Sequence, residues 1–308
     1  MKKFKFIDLF AGIGGMRIPF EEMGGDCVFS SEIDKHAQQT YQYNFDEFPS
    51  GDITKISEKD IPHHNLLLAG FPCQAFSNAG LKKGFNDTRG TLFFEISRIL
   101  RACHPEAFLL ENVRGLRSHD GGKTLEIILN TLKEIGYQNL YTQILNAKDF
   151  GLPQNRARFF IVGFKNSDIN FEFPKKLNIA TKVGDILENC VEDKFTISDR
   201  LWKSHKERKA RNLANNKGFG YSAFNEDSKY TRTISSRYYK DGSEALLLQK
   251  DKNPRFFTPR EVARLQGFPD KFILNESNTQ SYKQLGNAVP VNVISFIGKN
   301  ILNSLNLS

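Results

Sequence analysis

Cysteine is scarce in this 308-residue sequence: Cys27, Cys73, Cys103 and Cys190 stand far apart, with no C-x-x-C pair. That spacing excludes a disulfide framework and a structural zinc site, both of which need thiols gathered together. Cys27 and Cys103 read instead as small apolar residues of a core. The six histidines show no ligand spacing either, so no metal is expected. Long apolar runs are missing as well. The basic start Met1-Lys2-Lys3-Phe4-Lys5 leads into apolar residues up to Met16, superficially like a signal peptide, but Asp8 interrupts them. Nothing later approaches the ~20 apolar residues of a membrane span. No membrane partner is expected, and the chain reads as cytoplasmic. Internal repeats and low-complexity tails are absent, and no patterned helix argues for a dimer, so a monomer is expected.

Acidic charge is thin in one region only. Between Lys175 and Arg260 stand 19 Lys and Arg against 11 Asp and Glu, while the rest of the chain holds 24 of each, so this segment carries the whole net charge of +8. A positive balance confined to one stretch suits a polyanion, because clustered cations displace the counterions of nucleic acid.

What is abundant is alternation. Short apolar strands are expected at Phe6–Phe10, Asp26–Ser31, Leu66–Ala69, Ala107–Glu111, Tyr141–Asn146 and Arg158–Gly163. Between them, apolar residues at three- and four-residue spacings predict helices over Gly15–Met23, Lys35–Asn44, Leu92–Cys103 and Gly122–Ile135. The class is therefore α/β with a mainly parallel sheet, and ligands belong at the carboxyl ends of its strands. After Pro174 the pattern weakens. The run Thr231 to Tyr239 is β-prone and precedes the turn signal Lys240-Asp241-Gly242, which predicts a smaller strand-rich lobe. A helix should start at Thr258-Pro259-Arg260-Glu261, and the apolar segment Val289–Leu305 should return as a helix to the first domain. The expected division is 1–175, 176–265 and 266–308.

Three strand ends carry chemistry. Leu66 to Gly70 runs into Phe71-Pro72-Cys73-Gln74, and Phe108 to Leu110 runs into Glu111-Asn112-Val113, so a thiol and an acid stand at the ends of two core strands. That pair suggests covalent catalysis with proton assistance. The first strand enters Ala11-Gly12-Ile13-Gly14-Gly15, a cofactor loop. Glu32 after the second strand suits ribose hydroxyls, and Asp52 suits an adenine amino group. The loop has no Lys or Arg and is no Walker sequence, so an adenosyl group without phosphates fits better than a pyrophosphate, and S-adenosylmethionine satisfies that description.

Six motifs then occur in order: Phe6 to Gly15, Gly70 to Ser77, Glu111 to Val113, Gln154 to Arg158, Arg264 to Pro269 and Gln284 to Val289. They resemble those of the DNA (cytosine-5) methyltransferases, in particular the compact HhaI-type enzymes of bacterial restriction-modification systems. The resemblance covers about residues 4–175 and 253–308. It implies a Rossmann-like S-adenosylmethionine-dependent catalytic domain (1–175), a target-recognition domain (176–265) and a returning segment (266–308). It implies methyl transfer to carbon 5 of a cytosine flipped out of a specific short duplex sequence, through a Cys73 adduct at carbon 6, leaving S-adenosylhomocysteine.

By the same resemblance, Glu111 bonds the base's ring nitrogen and amine edge, Arg158 its carbonyl, and Arg156 the DNA phosphate. Phe10, Gly12, Ile13, Gly15, Glu32, Ile33, Asp52, Ile53, Gly70, Pro72, Leu92, Asn287 and Ala288 bind the cofactor, with the Phe10 ring on the adenine. Gln74, Ser77 and Arg89 of a closing loop touch DNA. Around the Thr233-Ile234 pair, Arg232, Thr233, Arg237, Tyr238, Tyr239 and Lys240 are candidates for base-edge and phosphate contacts. The partner would be double-stranded DNA, with a cognate endonuclease acting beside the enzyme without a stable complex. Two alternatives remain at this point: a transfer-RNA cytosine-5 methyltransferase, and a non-catalytic DNA-binding regulator.

Overall fold

The computed structural model describes residues 4–71, 92–177, 179–218 and 220–307. The chain divides into two compact units, one made of Met1–Leu145, Ala157–Lys175 and Val293–Ser308, the other of Asn146–Arg156 and Lys176–Asn292. The second unit is wider than the segment 176–265 read from the sequence, because residues 146–156 and 266–292 pack with it.

Strands β1 (Phe4–Leu9), β2 (Gly25–Ser31), β3 (Leu66–Gly70), β4 (Ala107–Val113) and β5 (Asn139–Asn146) are followed by β6 (Gln154–Asn155) and β7 (Ala157–Phe164). Among the described residues, a six-stranded sheet runs in the order β2-β1-β3-β4-β7-β5. β1 pairs in parallel with β2 and β3, and β3 with β4, whereas β7 is antiparallel to β4. Leu66, Leu67, Leu68 and Ala69 are buried, as an apolar run with helices on both faces of its strand requires. Between the strands lie α1 (Arg17–Glu22), α2 (Lys35–Phe45), α3 (Leu92–Cys103) and α4 (Lys123–Ile135). Helix α3 buries Phe93, Ile96, Ile99 and Leu100 at the spacing that marked it in the sequence. From β1 the chain steps to β2 on one side and later to β3 on the other. That reversal leaves the carboxyl ends of β1 and β3 side by side, where open α/β sheets bind ligands.

In the second unit, β9 (Thr231–Arg232) pairs with β6, and β10 (Leu246–Gln249) pairs with β8 (Ala223–Phe224) and β11 (Lys252–Phe256). Its helices are α5 (Asp199–Ala214), α6 (Pro259–Leu265) and α7 (Asn278–Asn287). The start of α6 is as the sequence indicates: Thr258 and Glu261 form a capping box around Pro259. Glu261 also accepts two 2.7 Å bonds from the buried Arg255, tying α6 to β11.

The β-prone run differs from expectation. Only Thr231–Arg232 is strand, and Tyr238–Lys240 is a short 3-10 turn. Tyr238 explains the break. Its ring packs against Phe256 and Tyr282 at 5.4 and 5.2 Å, and its hydroxyl donates to the Ala245 carbonyl while accepting from the Phe257 N–H. An aromatic drawn fully inside outweighs the period-two alternation, and Tyr238 is thereby removed from the DNA candidates. The last helix, α8 (Val291–Ser304), is continuous from Val291, and its residues from Val293 onward belong to the first unit.

Candidate active site

The carboxyl ends of β1 to β4 converge in register: Leu9 pairs with Ser31 and with Ala69, and Gly70 pairs with Glu111. The chain leaving β1 turns sharply. Phe10, Gly12 and Gly14 have φ of 54°, 56° and 83°, a left-handed path that an aromatic residue adopts only under constraint. At Gly14 a Cβ would lie 2.2 Å from the Phe45 ring, so the loop closes onto α2 only because that atom is missing. At Gly12 a Cβ would meet nothing within 4 Å. The backbone there is open on its outer side.

Glu32 caps this loop from the end of β2. Its carboxylate accepts from the Gly12 N–H and the Asp34 N–H, both at 2.8 Å. Burial pushes its pKa up, and those two donors oppose the shift. A carboxylate has about four lone-pair sites, so acceptor capacity for two ribose hydroxyls remains. Beside it, Ile33 is 69% exposed, and Phe10 is half-buried, leaving apolar surface next to the acceptor. Asp52 caps the turn Ile53–Lys55; its bonds from Thr54 hold its pKa below the usual carboxylate range. These features fit an adenosyl group: a glycine turn without Lys or Arg, an acid for hydroxyls, a second acid for an amine and apolar side chains for a flat base. Ile13 and Ile53 are buried core residues, so only their backbone is available to a ligand. Gly70 ends β3 and Leu92 opens α3, both half-buried.

At the end of β4, Glu111 is buried and pairs with Arg158 of β7, Nε to Oε1 at 2.9 Å. Burial lowers the pKa of the Arg158 guanidinium, and the Glu111 charge opposes that shift. Next to it, Asn112 is 2% exposed; its Nδ2 donates to the Phe71 carbonyl at 2.9 Å and its Oδ1 accepts from the Val113 N–H. Asn112 thus holds the chain at the residue preceding Pro72-Cys73. It was not singled out from the sequence, although a polar residue at the end of an apolar strand is itself a signal. Pro72, Cys73, Gln74, Ser77 and Arg89 lie outside the described residues.

Arg156 is not where the resemblance puts it. It is fully buried, and its guanidinium donates to the carbonyls of Ile234 at 2.9 Å, Gly286 at 2.8 Å and Ala288 at 2.6 Å. A side chain so engaged cannot also reach a DNA phosphate. Alternation with Arg158 fails because Arg156 precedes β7. Gly286 lies so close to this segment that a Cβ would sit 2.3 Å from backbone atoms of Ser235 and Ser236. Asn287 ends α7 exposed, with Ala288 half-buried after it, both in the second unit.

Arg232, Arg237 and Lys240 are exposed, and Thr233 is fixed by its Oγ1, which donates to the Asn155 carbonyl at 2.6 Å. The Nζ atoms of Lys283 and Lys240 lie 5.3 and 6.0 Å from the centre of the Tyr239 ring. Lys283, from α7, joins this basic patch only through the fold, and no local pattern in the sequence marks it. Among the described residues, no group of His, Cys, Asp and Glu can hold a metal ion. No described helix is long and apolar enough to cross a membrane. Burial pushes the Cys27 thiol up to about 12, so that cysteine is inert.

A family model described as "C-5 cytosine-specific DNA methylase" matches residues 4–303. The chain is 57% identical over 310 residues to Type II methyltransferase M.DsaV of Dactylococcopsis salina, covering 100% of this chain and 88% of that protein. To Type II methyltransferase M.NlaX of Neisseria lactamica it is 59% identical over 299 residues, covering 96% and 95%. The crystal structure of S. pombe Dnmt2 methyltransferase shares its fold, with a TM-score of 0.80 at 24% identity over 98% of this chain and 99% of that one.

Proposed function

The chain belongs to the C-5 cytosine-specific DNA methylase family, and from that premise we propose that Cys73, Glu111 and Arg158 carry out the reaction. The enzyme methylates cytosine in DNA with S-adenosylmethionine as donor, which sets aside the transfer-RNA and non-catalytic alternatives. Carbon 5 of cytosine is a poor nucleophile. Addition of the Cys73 thiolate to carbon 6 breaks the ring's aromaticity and places electron density on carbon 5. Glu111, a carboxylate beside Arg158 in the free enzyme, takes up a proton from solvent as the base binds and donates it to the ring nitrogen as that density develops, while Arg158 holds the carbonyl oxygen of the base and fixes Glu111. The observation that carries this assignment is the Glu111–Arg158 pair at 2.9 Å, in register with the strand that leads into Cys73.

Gly12, Glu32, Ile33, Asp52 and Phe10 would hold S-adenosylmethionine, with Asn287 and Ala288 as further candidates. When bound, it supplies a methyl group on a sulfonium, an electrophile that needs no further activation. After transfer, a base removes the carbon 5 proton and the ring expels the Cys73 thiolate, which restores aromaticity. A cytosine inside a duplex cannot offer its face to a thiol, so the base must leave the stack. Ser77, Gln74 and Arg89 accompany that movement, and Arg232, Thr233, Arg237, Tyr239 and Lys240 read the flanking sequence. On this reading the enzyme works beside a cognate endonuclease in the bacterial cytoplasm, as a monomer on one strand at a time; the relatives named Type II methyltransferases support it.

DNA containing 5-fluorocytosine provides the test, since fluorine cannot leave carbon 5 as a proton does. Incubation with S-adenosylmethionine should leave a covalent complex that survives denaturation and maps to Cys73, and Cys73→Ser should abolish both complex and methylation. Methylation by the serine variant at the wild-type rate would refute the nucleophile.

A further inference from the structure

The densest charge of the chain lies outside the recognition candidates. Helix α5 carries Arg200, Lys203, Lys206, Arg208, Lys209 and Arg211 against two acids, Asp199 and Glu207. Its two sides differ. Arg200, Lys203, Glu207 and Arg211 recur at helical spacing on one exposed side with Lys206 at its edge, whereas His205 opposite is buried. Lys203 is 4.0 Å from Glu207, an exposed pair of little strength. Among the described residues no ion pair holds Arg200, Lys206 or Arg211.

The inner side is fastened to the recognition patch. His205 Nε2 bonds the Asp241 carbonyl at 2.9 Å, Arg208 Nη1 donates to the Asp241 carboxylate at 2.9 Å, and Arg208 Nη2 donates to His205 Nδ1 at 2.8 Å. Asp241 directly follows Lys240. The helix is therefore locked to the turn that presents Arg237, Tyr239 and Lys240, and a force on one is felt by the other. From Arg200 to Arg211 the helix extends about 16 Å, over which duplex DNA offers about ten phosphate charges.

We infer that the outer side of α5 grips the phosphate backbone of duplex DNA, holding the neighbouring turn in register while that turn reads base edges. This rests on the reading of the chain as a DNA-methylating enzyme and adds a second contact surface to it. Charge complementarity selects the occupant, because an exposed row of cations with one central acid has no counterpart among apolar partners.

The experiment compares two full-length variants with equal charge loss, R200Q/K203Q/K206Q/R211Q on α5 and K182Q/K194Q/K250Q/K252Q elsewhere in the basic segment. Binding of a short fluorescein-labelled duplex of random sequence is followed from about 0.05 to 0.2 M salt. The α5 variant should lower the slope of log Kd against log salt by about 3 to 4 units, about 0.9 per lost phosphate contact, and weaken binding more than tenfold at low salt. The second variant should keep the wild-type slope. An unchanged slope in the α5 variant, or an equal fall in both, overturns the inference. Methylation of phage DNA by the wild type is measured alongside. Failure of the wild type to methylate would sink the enzymatic reading, while the binding measurement still decides the role of α5.

Discussion

Asn112 offers the sharpest perturbation of the site, because its amide ties β4 to Phe71, the residue that follows β3. Its Nδ2 is bonded to the Phe71 carbonyl in a buried setting. In Asn112→Ala that carbonyl loses its donor, which costs about 1 to 3 kcal/mol and lowers Tm by a few degrees. The more telling effect is on rate. Phe71 stands two residues before Cys73, and a shift of about 1 Å in a reacting group can cost on the order of a hundredfold. The maximal rate of tritium transfer to DNA should therefore fall ten- to a hundredfold. Calorimetric affinity for S-adenosylmethionine should stay within about twofold, since Gly12 and Glu32 lie in the turns that follow β1 and β2. Asn112→Asp sharpens the case. It keeps the acceptor for the Val113 N–H but sets a carboxylate oxygen against the Phe71 carbonyl, so its rate should be no better than that of the alanine variant. A rate equal to wild type, with only Tm reduced, would show that the tether is structural and that the reasoning is wrong.

Arg158→Ala removes the cation from beside a buried carboxylate and should cost about 3 to 5 kcal/mol; adding Glu111→Gln should recover much of the Tm and none of the activity. If the double variant melts at the sum of the two single losses, the pair is not coupled. Gly14→Ala forces a left-handed backbone onto a residue with a Cβ and displaces the Phe45 ring, together about 2 to 5 kcal/mol, and calorimetry should show weaker cofactor binding. Glu32 has its pKa raised in the fold, and protonation removes its charge and turns one of its two acceptor oxygens into a donor. Cofactor affinity should therefore start to fall, as pH is lowered, above the ordinary glutamate range, and Glu32→Gln should flatten that profile. His205 has its pKa lowered by burial. Arg208 can only donate to its Nδ1 and the Asp241 carbonyl can only accept from its Nε2, so the ring is neutral, and its stabilising effect is lost as pH falls through the ordinary imidazole value. Thermal melts from neutral to acid pH should show that loss in the wild type and its reduction in His205→Gln.

The first unit was largely legible because its signals are local. A buried strand such as Leu66–Ala69 is apolar on both faces, an amphipathic helix such as Leu92–Cys103 repeats every three or four residues, and each is visible in one short window. The glycine loop and Glu32 were legible for the same reason, since parallel strands bring successive carboxyl ends to one edge. Lys283 was not, because its place beside Tyr239 depends on α7 meeting a turn more than forty residues earlier in the sequence.

Arg156 and Tyr238 show a different limit. A charged or polar residue is assigned to the surface on the ground that burying it is costly, and that cost is real only while its hydrogen-bonding groups lack partners. Irregular chain reverses the sign. The carbonyls of Ile234, Gly286 and Ala288 lie in or at the ends of segments where no ladder or helix supplies their donors, and one guanidinium with five N–H groups satisfies all three at once. Tyr238 does the same for Ala245 and Phe257 with a single hydroxyl. In a loop-rich unit with short strands, the arginine or tyrosine most exposed by pattern is thus a strong candidate for the interior, and the residues left for DNA are those whose neighbours' backbone is already satisfied. By that criterion Arg200, Lys206 and Arg211, on a regular helix that bonds its own carbonyls, are better placed to meet phosphate than Arg156.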